Sequence, residues 1–147
     1  MKQTGRGKRV ASVGAAASVL AAGLVLGVAA PQASAVDWDS FTYEVDGSVN
    51  VTVYNGSRVA GFGAWARDPG DLGSATGDTL IANDQLADGY GIEARLDTGR
   101  VATTRGHESP YTDRVTGDLR EDVTHYITVC VVQGSFSKCF GTHAVKS

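Results

Sequence analysis

From residue 36 onward, apolar side chains recur at every second position in short runs, and the runs are broken by glycine-containing turns. Phe41, Tyr43 and Val45 form one such set, Val49, Val51 and Val53 the next, and Val129 and Val131 another. A period of two is the mark of a half-buried strand. The pattern predicts about eight strands, at roughly 38–46, 49–54, 58–66, 79–83, 90–96, 100–105, 124–132 and 137–145. Residues 36–147 show no sustained helical period, no internal repeat and no low-complexity linker. The expectation is an all-β fold: one antiparallel β-sandwich, immunoglobulin-like or Greek-key.

Strand registers follow from the requirement that opposed residues share a face. A two-residue turn at Asn55-Gly56 would pair Val53 with Arg58, Val51 with Ala60 and Val49 with Phe62. At Asp46-Gly47 a two-residue turn would set Val49 against Glu44, which mixes faces. A three-residue loop, Asp46-Gly47-Ser48, instead opposes Val45 to Val49 and Tyr43 to Val51. The first three strands are therefore expected as a meander that sends Phe41, Tyr43, Val45, Val49, Val51, Val53, Ala60 and Phe62 into the core.

Two cysteines sharpen the picture. A tight turn at Gly134-Ser135 opposes Gln133 to Phe136, Val132 to Ser137, and Cys130 to Cys139. That pair is of the non-hydrogen-bonded type, where Cα atoms approach to about 4.5 Å, and a disulfide is expected. The alternative of a redox-active pair lacks the C-x-x-C spacing.

The N-terminus has a different composition. Lys2, Arg6, Lys8 and Arg9 precede an apolar stretch from Val10 to Ala30, then Pro31, then the small-residue pattern Ala33-Ser34-Ala35. This order predicts a cleaved secretory signal over residues 1–35 and a released mature chain of 36–147. Export suits an oxidised cysteine pair. No cysteine directly follows the expected cut, which argues against a lipid anchor, and no later apolar stretch would hold the mature chain in a membrane. Those four residues are the only charges before Asp37. The mature part thus keeps nine of the 13 basic residues against all 16 acidic ones, a net charge of −7. Such a balance excludes a nucleic-acid partner and an anionic membrane surface, both of which need a basic face.

Candidate chemistry is sparse. In the derived register His125 opposes Ala144 and Tyr126 opposes His143, so the two histidines point to opposite faces, and His107 stands apart in a loop. No metal or other cofactor is expected. Asp68, Asp71 and Asp78 share a Gly-rich loop, but Asp84 to Gly89 places Leu86 where a calcium loop needs an oxygen ligand. These acids are expected to be solvated turn residues. No Gly-x-Ser-x-Gly elbow occurs, and His107-Glu108-Ser109 on one short loop is poorly placed for a triad. The chain is therefore expected not to be an enzyme.

Two features suggest binding. Trp38, Tyr54 and Trp65 fall on the face opposite the expected core and would offer rings to a sugar or a protein. The bland alternative is that they stack on each other or lie under a loop. The second feature is the connection Arg105 to Arg114, in which Arg105, His107 and Tyr111 stand out.

The stretch GDTLIANDQLADGYGIEARLDTGRVATTRGHESPYT (Gly77 to Thr112), followed by VCVVQGSFSKC (Val129 to Cys139), resembles small exported proteins of actinobacterial type. The resemblance implies secretion and a single β-domain, and it supports the hairpin disulfide. It brings no catalytic residues. Together these readings predict a secreted, monomeric, non-catalytic binding protein whose partner is a cell-wall polysaccharide or another secreted protein. The competing expectation is a small secreted hydrolase or hydrolase inhibitor acting through the 105–114 loop.

Overall fold

A computed structural model describes residues 36–147, and the expected signal segment, 1–35, lies outside them. Nine strands form two antiparallel sheets. The first sheet has the order β1-β2-β3-β4-β7, with β1 Trp38–Val45, β2 Ser48–Asn55, β3 Arg58–Ala66, β4 Thr79–Asp84 and β7 Tyr111–Val115. The second has the order β6-β5-β8-β9, with β5 Gly91–Leu96, β6 Val101–Thr103, β8 Thr124–Gln133 and β9 Phe136–Lys146. The chain changes sheet after β4, β6 and β7, and β7 returns to lie beside β4. That winding is Greek-key in kind. Among the described residues no helix is long and apolar enough to cross a membrane.

The core lies between the sheets. Val49, Val51, Val53, Trp65 and Leu80 from the first sheet meet Ile92, Ala94, Leu96, Ile127, Val129 and Val131 from the second. Two glycines on β3 leave room for close neighbours, Gly63 for the facing sheet and Gly61 chiefly for the adjacent strand β4. A Cβ at Gly63 would stand 2.5 Å from a methyl of Val129, and one at Gly61 would stand 2.1 Å from the Asn83 carbonyl oxygen. Glycine is the only residue with no atom at that place.

Both early registers differ from expectation. The β1–β2 turn holds two residues, Asp46 and Gly47, with φ of 46° and 85°, the left-handed pair that a type I′ turn requires. Val45 therefore pairs with Ser48, and Glu44 with Val49. Phe41, Tyr43 and Val45 turn outward and are exposed, while Ser40, Thr42 and Glu44 face inward. The reason lies in the position of β1 at the sheet edge. Its inner face meets polar side chains of β9 instead of the core: His143 Nε2 lies 3.4 Å from Thr42 Oγ1, and His143 Nδ1 lies 3.6 Å from Glu44.

The β2–β3 turn is shifted as well, to Gly56-Ser57, so that Asn55 pairs with Arg58. A bulge then resets the ladder, giving Val53 opposite Gly61, Val51 opposite Gly63 and Val49 opposite Trp65. Ala60, Val49, Val51 and Val53 reach the core as expected, but Phe62 does not, and Trp65 takes the inward place. β7 is a strand where a loop was expected. Only Tyr111 and Val115 are apolar in Tyr111–Val115, too weak a pattern to read as a strand.

The last hairpin matches expectation at its turn. Gln133 pairs with Phe136, Val132 with Ser137 and Cys130 with Cys139, and the two cysteines form a disulfide with Cα atoms 3.9 Å apart. A bulge at Thr128 then shifts the pairing, so His125 opposes Val145 and His143 opposes Ile127. The histidines thus share a face, where they were expected on opposite faces. Each has its own carboxylate: Asp97 at 3.0 Å from His125, and Glu44 near His143.

Candidate functional site

Three connections meet at one end of the sandwich: the β4–β5 segment, the β6–β7 segment and the β8–β9 turn. They enclose an open cleft of about 540 Å³. This is within the size range of small-ligand sites.

The floor of the cleft is Asp84. β4 reads Thr-Leu-Ile-Ala-Asn-Asp, and its alternation carries Asp84 onto the inner face between Gly61 and Tyr111. The residue is 3% exposed. Its Oδ1 accepts a hydrogen bond from the Leu86 N–H at 3.1 Å. Burial holds the carboxyl above its ordinary range, and the Asp88 charge pushes the same way. The Leu86 N–H and the adjacent Ser109 hydroxyl oppose the shift without cancelling it. That hydroxyl lies beside Asp84 but meets no hydrogen-bond geometry of its own among the described residues.

Local bonds fix the walls. Asp88 accepts the Tyr90 N–H at 3.0 Å and the Asn55 amide at 3.0 Å, which shapes the turn that follows Asp84. Gln133 donates to the Gly89 carbonyl at 3.0 Å and ties the last hairpin to that turn. Thr104 Oγ1 receives the Ile92 N–H at 2.8 Å, anchoring the start of the 105–109 segment. The Tyr90 ring is held edge-on by Trp38 at 5.0 Å and by Phe136 at 5.7 Å.

Arg105 lines the cleft, but its charge is already engaged. Its guanidinium donates to the Gly134 carbonyl, and its Nε lies 3.7 Å from the buried Glu93. His107 also lines the cleft, stacked on Tyr111 with ring centres 3.8 Å apart and planes 5° apart. The structure therefore brings Arg105, His107 and Tyr111 together. Trp38 joins only indirectly, as the support of Tyr90.

Trp38 and Trp65 do not form the expected outer platform. Trp38 is 8% exposed. Trp65 is fully buried, donates its indole N–H to the Lys146 carbonyl at 2.7 Å and lies under the Arg100 guanidinium. Tyr54 is half-buried on β2, between Asp39 and Val59 in the ladder, and does not line the cleft. On β1 the outward aromatics are Phe41 and Tyr43 instead, a result of the two-residue Asp46-Gly47 turn.

Sequence reasoning missed Asp84, Ser109, Tyr90 and Gln133 as a group. The available signal was an apolar strand ending in an acid, followed by a tight Asp88-Gly89 turn.

Two acids of the Gly-rich loop, Asp71 and Asp78, act as loop braces. Asp71 accepts from the Ser48 hydroxyl at 2.6 Å and the Asp68 N–H at 3.2 Å, and Asp78 accepts from the Leu119 N–H at 2.7 Å. They are bonded to the chain, where solvated turn acids were expected. Among the described residues no three carboxylate, imidazole or thiol groups gather as a metal set. Compared with protein-family models, curated proteins and solved structures, the chain matches none.

Proposed function

We propose that this is an exported, non-catalytic binding protein acting at or outside the cell, which holds part of a cell-wall glycan or of another exported protein in the cleft floored by Asp84. The carrying observation is that buried carboxylate itself. It faces a cavity, burial penalises its charge, and the buried Ser109 hydroxyl beside it falls short of full hydrogen-bond geometry. Groups held against their own preference in a cleft are a common property of functional sites. Export is supported by the Cys130–Cys139 bond, which persists in oxidising compartments, and by the basic-apolar-ASA order of the first 35 residues. The resemblance to small exported proteins of actinobacterial type points the same way.

A hydrolase using the 105–114 loop is the weaker reading. The Ser109 hydroxyl lies beside a single carboxyl, that of Asp84, with no imidazole bonded to it, and the His107 ring is stacked on Tyr111. The test is depletion of the protein from solution by insoluble cell wall, chitin and cellulose in separate mixtures. Depletion that weakens on Asp84→Asn and Glu108→Gln supports the cleft. Undiminished depletion by both variants moves the site elsewhere, and no depletion by any of the polymers leaves the glycan reading without support.

A further inference from the structure

We infer that the cleft takes an amino-sugar unit with a free amine, its ammonium seated against Asp84 and an adjacent sugar hydroxyl against Ser109. This rests on the reading of the cleft as the binding site and adds the ligand's chemistry.

Charge decides which ligand the cleft favours. Asp84 is almost wholly buried, and the donor in full hydrogen-bond geometry to it is the Leu86 N–H, on Oδ1, with the Ser109 hydroxyl close by. A carboxylate in that setting is best compensated by a cation brought to it. The cation on the cleft wall, Arg105, is turned toward Glu93 and the Gly134 carbonyl. Asp88 behind the floor and Glu108 on the rim add negative charge and leave the cleft acidic. An anion is therefore disfavoured there, and a protonated amine is favoured over a neutral hydroxyl.

The second step is the pairing of groups. The Ser109 hydroxyl lies beside the carboxylate without meeting full hydrogen-bond geometry to it or to any other group among the described residues. An amine with a hydroxyl on the neighbouring carbon matches a carboxylate beside a hydroxyl. A 2-amino-2-deoxy sugar has that arrangement, whereas a lysine side chain has no hydroxyl next to its amine. Leu86 and Tyr90 supply the apolar wall on which the carbon face of a sugar ring rests.

The probes are glucosamine oligomers, their fully N-acetylated counterparts and oligolysine, titrated into the protein by calorimetry at physiological salt. Glucosamine oligomers are expected to bind, with acetylation and Asp84→Asn each weakening binding about tenfold or more, and Ser109→Ala weakening it severalfold. Glu121→Gln, at the other end of the sandwich, should leave binding unchanged. Thermal unfolding of each variant confirms that it folds.

Equal binding of acetylated and free-amine oligomers would overturn the ammonium assignment while leaving the cleft as a glycan site. Oligolysine binding as tightly, and without sensitivity to Ser109→Ala, would overturn the amino sugar in favour of a peptide amine. Equal losses from Glu121→Gln and Asp84→Asn would mean diffuse attraction to an acidic protein and would also overturn it. Failure of every probe, together with no depletion by cell wall, would remove the binding reading of the cleft as well.

Discussion

Asp84 shows how one side chain can oppose the fold that holds it. Its carboxyl is raised above the ordinary aspartate value because burial removes water from the charged form. A group whose folded pKa is raised binds protons more readily when folded. Its ionisation therefore destabilises the protein above the raised pKa, and the penalty disappears as pH falls through that value toward the unfolded one. Asp84→Asn keeps an oxygen for the Leu86 N–H and removes the charge. Thermal unfolding should show the variant melting higher than the parent at neutral pH, with the difference closing on acidification. A lower melting temperature at neutral pH would mean that the carboxylate is already compensated. Such a cost to the fold is what the proposed binding role of Asp84 would account for.

At the scale of elements, β3 and the last hairpin respond in opposite ways to small changes. Gly63→Ala puts a methyl 2.5 Å from Val129 on the facing sheet, so the layers must part; a loss of about 1–3 kcal/mol is expected in denaturant unfolding. Replacing both Cys130 and Cys139 by Ser leaves the ladder intact and releases only a short loop. The expected loss is at most about 2–3 kcal/mol, also read by denaturant, and a larger one would show that the bond fixes native packing too.

The same elements show what the sequence could convey. The Cys130–Cys139 hairpin was legible because Gly134-Ser135 is the evident turn between the cysteines, and its register follows by counting. The turns at Asp46-Gly47 and Gly56-Ser57 were not. Each had two plausible positions one residue apart, and a slip of one residue exchanges the faces of the whole strand. Matching apolar sets assumed that β1 points its aromatics inward, but an edge strand facing Lys138 and His143 of β9 has no such obligation.

For the molecule as a whole, the two ends of the sandwich carry different duties. At one end Arg100, from the β5–β6 turn, donates to the carbonyls of Asp78 and Gly117 and lies 5.6 Å above the Trp65 ring, fastening one sheet to the connections of the other. At the opposite end the three connections leave the cleft open. The polar 105–114 segment stood out in sequence, and its first half lines the cleft. The carboxylate floor was not, because Asp84 is one acid among 16 and its depth arises only where three separate segments converge.

The arrangement also divides the optical signal. The chain has two tryptophans, one under the Arg100 clamp and one behind the cleft wall. Trp65→Phe should leave an emission spectrum that belongs to Trp38 alone and shifts when the cleft is filled through Tyr90. Trp38→Phe should leave an emitter insensitive to ligand. On the proposed reading of the cleft, the protein would carry its own spectroscopic gauge of occupancy, with a reference at the far end.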